Sequence, residues 1–222
     1  MNLTILLELV IALAALYLLK KFFVRALVRN WLTKIGRKSL ARTPQQVSLA
    51  RVDSPAWTNG PAVEQLAAPL RDAGFRDLGA YSVDTRPGLL IRMMHHPETF
   101  VSAHIFDRLA NDVTVEFASR YTDGSSHTLT TMPATGVKSA PWVRTIRADK
   151  GTPSDQLYSQ FKTQREWHNI KPVAADEVIH LFEDEYRRAM IWRQNEGLAP
   201  EEVARVAVQW AHKRAKKAGT AG

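Results

Sequence analysis

The sequence predicts an α+β fold: one N-terminal transmembrane helix, then a domain in which an antiparallel meander of five to six strands is covered by C-terminal helices. Three observations indicate this. An apolar run extends from Leu3 to Leu19, hydrophobic side chains recur with a period of two over residues 75–148, and helical spacing returns after Gly151. Strands grouped between helices are typical of α+β domains, with the helices expected on one face of the sheet. A strongly curved, half-closed sheet that grips a helix is the alternative architecture.

The apolar run predicts an uncleaved signal-anchor over residues 1–21. Its 17 residues, interrupted by Thr4 and Glu8, reach about 25 Å as a helix, which is the lower limit for crossing a bilayer. A cleaved signal peptide carries its positive charge before the apolar run, whereas here Lys20 and Lys21 follow it. The alternative is a core helix that needs cover on every side. For Glu8, an interfacial position, a contact with a partner helix and a proton relay stay open.

A basic amphipathic helix is predicted over residues 22–42. Residues 20–42 include eight Lys or Arg and no acid, so the positive-inside bias places this segment and the domain after it in the cytoplasm, with the N-terminus translocated. Apolar side chains recur at helical spacing, as in helices that lie among lipid headgroups (Val24, Leu27, Val28, Trp31, Leu32 and Ile35). A stop-transfer signal with no lipid-binding role is the alternative. The residues predicted to contact an anionic membrane surface are Lys20, Lys21, Arg25, Arg29, Trp31, Lys34, Arg37 and Lys38.

The distribution of charge separates this segment from the domain. The chain has 30 basic and 22 acidic residues, yet residues 43–222 carry 22 basic against 21 acidic. The net charge of +8 therefore belongs to the juxtamembrane segment and does not indicate a domain that binds nucleic acid. The absence of Cys agrees with a cytoplasmic domain but is compatible with any redox compartment.

Residues 43–60 are predicted to form a linker, and residues 61–222 one domain. The linker contains Pro, Gln, Ser and Gly without periodicity, and the domain opens with a short helix that ends at Gly74. Asp123-Gly124 is a strong hairpin signal, and the short connections favour antiparallel pairing. The candidate strands are 78–84, 88–95, 99–107, 112–122, 125–132 and 142–148.

Three helices are predicted after the strands. The first begins near Pro153, the second extends from about Ala174 to Asn195, and the third begins at Pro200. Acidic residues concentrate at the starts of the last two helices and basic residues at their ends, which matches the helix dipole. These charges are therefore explained without a binding role, although the last basic cluster can also contact a membrane.

His104 is the one candidate that the sequence offers for a catalytic residue. It is predicted to share a strand face with Phe100 and Phe106, where an imidazole can orient a ligand or act as a base in a pocket. The alternative is a core histidine that is satisfied by a neighbour. His127 lies in a later hairpin arm, and a single sequence does not fix the register that relates it to His104.

Other polar clusters predict no site. His95 and His96 are adjacent at a strand end, so their side chains are expected to point to opposite faces, which disfavours binding of one metal; a turn at this position is the geometry that would allow it. Glu177 and His180 have the Glu-x-x-His spacing of di-iron bundles, but the second copy that such sites need is missing. The hydroxyl-rich hairpin over residues 119–131 lacks a nucleophile motif, and no glycine-rich phosphate loop occurs. No metal and no cofactor are therefore predicted.

The sequence favours a binding protein over an enzyme. The first hypothesis is an anchored adaptor whose domain recruits a protein partner, or contributes to a membrane complex, at the cytoplasmic membrane surface. The second is a carrier or sensor of an apolar or lipid ligand, held between the sheet and the long helix near Phe182, Tyr186 and Met190. The third is a hydrolytic enzyme that uses His104. A carrier needs an apolar cavity, and an adaptor needs an exposed apolar or aromatic patch. An enzyme needs titratable groups that converge in a cleft.

Overall fold

The computed structural model describes residues 3–108 and 112–219, and the side chains of residues 17–108, 112–209 and 211. It divides the chain into two compact units, residues 1–43 with 194–222, and residues 44–193. In chain order the elements are α1 (Leu3–Ala41), β1 (Leu49–Val52), α2 (Gly60–Asp72), β2 (Arg76–Val83), β3 (Leu90–His96), β4 (Val101–Arg108), β5 (Asp112–Arg120), β6 (Ser126–Thr130), β7 (Val143–Arg147), α3 (Ser154–Gln164), α4 (Glu177–Glu196) and α5 (Pro200–Gly219).

The first unit is helical. α1 continues without a break from the predicted anchor into the predicted juxtamembrane helix, and every residue from 17 to 31 is exposed. Gly36 allows the close approach of the chain that leads into α5, because a Cβ at this position would lie 3.1 Å from both Leu198 and Val203. The last helix thus belongs to the same unit as α1, whereas the sequence predicts a single domain over 61–222.

Within the described residues, no helix combines the length and the apolar character that a membrane span requires. The predicted anchor is therefore not confirmed. Most of it, residues 1–16, lies outside the residues whose side chains the structure describes.

The second unit is built on a sheet whose described strands follow one another in sequence order, from β1 to β7. Each strand from β1 to β6 pairs antiparallel with the next, which confirms the predicted meander, but β6 and β7 are parallel. Parallel neighbours need a crossover connection of about a dozen residues, and the connection between β6 and β7, residues 131–142, has this length. β1 lies inside the predicted linker. It has only four residues, and its two central residues are both exposed, so buried and exposed positions do not alternate as they do in a typical strand.

Helices cover both faces of this sheet, which corrects the prediction of helices on one face. α2 and α3 pack on one face, together with side chains such as Val101, Ala103 and Phe117. α4 packs on the other face, where Val178 and neighbouring residues meet a second apolar cluster that includes Phe106. In the sequence, polar residues such as Ser102 and His104 are typical of a strand face that is exposed to solvent. In the structure both side chains are buried.

A buried carboxylate at the end of β4 joins the sheet to α2. One carboxylate oxygen of Asp107 accepts the backbone N–H groups of Thr58, at 2.5 Å, and Asn59, at 3.2 Å. The Asn59 side chain in turn caps α2 by accepting the N–H of Ala62 at 3.2 Å. Asp107 therefore sets the position at which α2 begins over the sheet.

Replacing Asp107 by Ala is expected to lower the free energy of unfolding by about 2–3 kcal/mol, because two N–H groups lose a charged acceptor. Chemical denaturation of the full chain measures the change. Asp72→Ala removes an exposed carboxylate at the end of α2 and should change stability by less than about 0.5 kcal/mol. Equal losses in the two variants would contradict the role given to Asp107.

Candidate functional site

A cavity of about 260 Å³ lies between the sheet and α4, within the second unit. The strands contribute its floor because alternate residues of β4, β5 and β6 point to this face, and side chains of α4 line the opposite side. Aromatic and aliphatic side chains make most of the wall, and a few polar groups converge on it. Its lining comprises His104, Phe106, Glu116, Ala118, Arg120, Thr128, Val143, Phe182, Glu185, Tyr186 and Ala189.

His104 is the buried polar group of this cavity. It is 2 % exposed, and neither of its ring nitrogens has a hydrogen-bond partner. Its ring meets that of Phe182 edge to face, with the centroids 5.1 Å apart. Glu116 is its cross-strand neighbour on β5, and one carboxylate oxygen lies 3.7 Å from the imidazole Nδ1, which is longer than a hydrogen bond.

The other two charged groups of the cavity neutralise each other. Arg120 on β5 forms an ion pair with Glu185 on α4, and the same guanidinium donates to the carbonyl of Leu181 at 3.0 Å. Glu185 also accepts the hydroxyl hydrogen of Ser126 at 2.5 Å. This ion pair links α4 to the sheet. Among the described contacts of the cavity, the Glu116 carboxylate has no ion pair with an Arg or Lys side chain.

Two further cavities contain charged groups that already have partners. One of about 210 Å³ borders Arg92, whose guanidinium is paired with Asp77 and Glu64. The other, of about 160 Å³, shares Arg120 and Glu185 with the first cavity. The sheet–α4 cavity is distinguished by the unpartnered imidazole of His104, and we take it as the candidate site.

The predicted position of His104 on one strand face with Phe106 is confirmed, but Phe100 precedes the strand, in a turn with a positive φ of 53°. His127 lies on the opposite face of the sheet, where its ring contacts Phe161 of α3 with the centroids 5.6 Å apart. His104 and His127 therefore do not form one site. A catalytic role for His104 stays a prediction.

Three buried histidines lie elsewhere in the second unit. His95 and His96 diverge as adjacent strand residues must, and the ring of His96 stacks on Tyr158 of α3. Burial lowers the pKa of His95, an effect to which the neighbouring His96 adds. Burial likewise lowers the pKa of His96 and of His127. No cluster of three potential metal ligands occurs among the described residues.

Arg165 is a buried guanidinium beside the α3 face. It is 3 % exposed and donates to the Thr99 carbonyl at 2.9 Å and to the Ser119 hydroxyl at 2.7 Å, while Nε and the second terminal nitrogen have no partner. Burial lowers its pKa. The ring of Trp167, 57 % exposed, lies 4.1 Å from the guanidinium carbon and covers it on one side.

The other predicted positions are separate from the cavity. His180 is exposed on α4, and Glu177 accepts the N–H of Ala174 at 2.9 Å, which is a helix-start contact rather than a metal site. The residues predicted to contact a membrane all lie on α1, in the first unit, and all are exposed: Lys20, Lys21, Arg25, Arg29, Trp31, Lys34, Arg37 and Lys38.

The sequence alone does not indicate that Glu116, Arg120 or Glu185 belongs to the site. The pairing of Glu116 with His104 depends on the strand register, which one sequence does not fix. Arg120 and Glu185 are 65 residues apart in the chain. No known protein family, curated protein or solved structure matches the chain.

The stability of the protein is expected to fall as the pH drops below about 6.5. The pKa values of His95, His96 and His127 are lower in the folded protein than in the unfolded chain. As the pH falls, the unfolded chain therefore binds protons first, and the free energy of unfolding decreases. The slope is at most about 1.4 kcal/mol per pH unit for each histidine, between the unfolded pKa of about 6.5 and the lower folded value. Urea unfolding at pH 7.5, 6.5 and 5.5 measures it.

The double variant His96→Gln/His127→Gln should show a shallower pH dependence than the unmodified chain. The exposed pair His168→Gln/His180→Gln is the matched control and should keep the full slope. A slope that both double variants reduce equally would contradict the assignment to the buried histidines.

Proposed function

We propose that the protein is a membrane-attached adaptor, bound by α1 to an anionic cytoplasmic membrane surface, with residues 44–193 as its binding domain. The exposed apolar surface of α1 carries this proposal. Ten large apolar side chains of this helix are between 38 and 74 % exposed. Contiguous apolar exposure on this scale is characteristic of membrane or protein contact surfaces. These side chains are Tyr17, Leu18, Leu19, Phe22, Phe23, Val24, Leu27, Val28, Trp31 and Ile35.

Basic residues on the same helix select an anionic lipid surface as the occupant. Between residues 20 and 38, α1 has seven Lys or Arg and no acid. Each basic residue near an anionic leaflet contributes about 1 kcal/mol, and an amphipathic helix of this composition inserts its apolar side among the headgroups. Trp31 is suited to that boundary because its ring is apolar and its N–H can reach water or a headgroup. This pattern supports lipid contact more directly than contact with another protein.

We extend the proposal to the segment before this surface. Residues 1–21 are proposed as the anchor, with the N-terminus translocated and the domain cytoplasmic. The length of the apolar run and the basic residues that follow it support this orientation.

A protein partner recruited at the membrane completes the proposal. The exposed ring of Trp167, held against Arg165, supports such a contact on the domain, because Trp and Arg are enriched at the energetic centres of protein interfaces.

Removing two bases from α1 is expected to weaken membrane binding. The Arg25→Ala/Arg29→Ala variant should bind vesicles of phosphatidylcholine with 30 % phosphatidylglycerol about 30-fold less tightly, as the loss of about 2 kcal/mol implies. Co-sedimentation of the full chain measures the affinity. Arg76→Ala/Arg86→Ala changes the same charge on the domain, where both residues are exposed, and should bind like the unmodified chain. Equal binding to vesicles with and without phosphatidylglycerol would refute the proposal.

The orientation is expected to depend on the bases that follow the apolar run. A fluorescent reporter that matures only in the cytoplasm, fused to the C-terminus, should be active, and a phosphatase that needs the translocated side should be inactive. Moving positive charge from Lys20, Lys21, Arg25 and Arg29 to the N-terminus should shift both readings toward the opposite result. Phosphatase activity in the unmodified chain would overturn the orientation.

A further inference from the structure

We propose that the cavity between the sheet and α4 binds a small organic cation, an ammonium group carried on an apolar body. This inference is independent of membrane attachment, since it rests on residues of the second unit alone. It assigns a ligand class to the cavity from three properties: its size, its aromatic wall and its unpaired polar groups.

The volume of the cavity limits the ligand to a small molecule. An apolar protein cavity of about 150 Å³ accommodates benzene, so 260 Å³ has room for a body of about ten non-hydrogen atoms. This volume is too small to enclose an intact two-chain lipid. Of the apolar or lipid ligands that the sequence suggests, a compact molecule therefore suits this cavity best.

Three aromatic side chains contribute to the apolar wall of the cavity. Phe106, Phe182 and Tyr186 all line the cavity, and the rings of Phe106 and Phe182 lie 6.4 Å apart at a tilt of 41°. Ring faces attract ammonium groups, most strongly where water is displaced. Arg108 occupies one side of Phe106, 5.9 Å from its centroid, and is not among the lining residues.

The charge of the cavity selects a cation over an anion. Arg120 and Glu185 cancel each other as an ion pair, and their remaining polar atoms contact Leu181 and Ser126. Glu116 adds a second carboxylate, and one of its oxygens lies 3.7 Å from the Nδ1 atom of His104. A ligand carboxylate would therefore face like charge, whereas an ammonium would be attracted.

His104 supplies the second contact. In its neutral form an imidazole has one donor and one acceptor nitrogen, and both nitrogens here are buried without a partner. A buried polar group left in this state costs free energy, which a ligand hydrogen bond recovers. A primary ammonium has three donors, so it can donate to the Glu116 carboxylate and to the imidazole at the same time.

Binding of three probes with the same aromatic body tests the ligand class. The full chain in phosphatidylcholine nanodiscs is titrated with 2-phenylethylamine, 2-phenylethanol and phenylacetate, and affinities are measured by calorimetry. We expect the amine to bind most tightly, the alcohol more weakly and the carboxylate not measurably. Binding of phenylacetate as tight as that of the amine, or no binding by any of the three probes, would overturn the proposal.

Two variants separate the cavity from adsorption to lipid. Glu116→Gln should weaken amine binding about ten-fold or more and leave alcohol binding within about two-fold, because only the ammonium uses the charge. Glu196→Gln, at the exposed end of α4, is the matched control and should bind like the unmodified chain. His104→Phe should weaken both the amine and the alcohol.

The thermal midpoint of each variant is measured alongside, so that a folding defect is recognised. Should His104→Phe fail to fold, Glu116→Gln still decides the outcome, since Glu116 is partly exposed and contributes to no apolar cluster. Unchanged amine affinity in folded Glu116→Gln would refute the assignment. Failure of this test would leave the vesicle-binding result untouched, because the two measurements use different residues.

Discussion

The two-sided burial of the central strands constrains most of what is seen in the domain. β4 has seven successive buried residues, so every second side chain faces α2 and α3 and the others face α4. A polar side chain on such a strand cannot reach water and must find a partner within the protein or remain unsatisfied at a cost. One carboxylate oxygen of Asp107 meets this demand by accepting two backbone N–H groups, and the Ser119 hydroxyl meets it by accepting a hydrogen bond from the guanidinium of Arg165.

The same constraint explains why the candidate site lies where it does. Arg120 and Glu185 satisfy each other across the gap between the sheet and α4, which holds the helix over the strands. His104, on the same face, is left with both ring nitrogens unpartnered beside the carboxylate of Glu116. In a close-packed interior, a cavity that contains an unsatisfied imidazole is an exception, and such exceptions concentrate at functional sites.

The sequence predicts the meander well because alternation and turn chemistry are local. Asp123-Gly124, for instance, marks its hairpin directly, with Gly124 at a φ of 82°. Three features depend on non-local contacts and were missed: the short edge strand β1, the parallel pairing of β7, and the cover that α4 gives to the second face. For the site, the sequence places His104 on a strand face, but only the register brings it beside Glu116. Nothing local in the sequence indicates that Glu185 meets Arg120.

The two units differ in the exposure of their apolar side chains, and both proposals depend on this difference. In residues 44–193, large apolar side chains are mostly gathered into two clusters, one against each face of the sheet, so this part folds by covering itself. In α1, residues 17–31 are exposed on every side, and bases rather than acids separate the apolar positions. Water does not favour such a surface, whereas an anionic lipid layer provides both an apolar phase and compensating charge. Since the near-neutral domain has no comparable excess of bases, the proposed membrane attachment is assigned to α1, and the proposed small-ligand site is the cavity beneath α4.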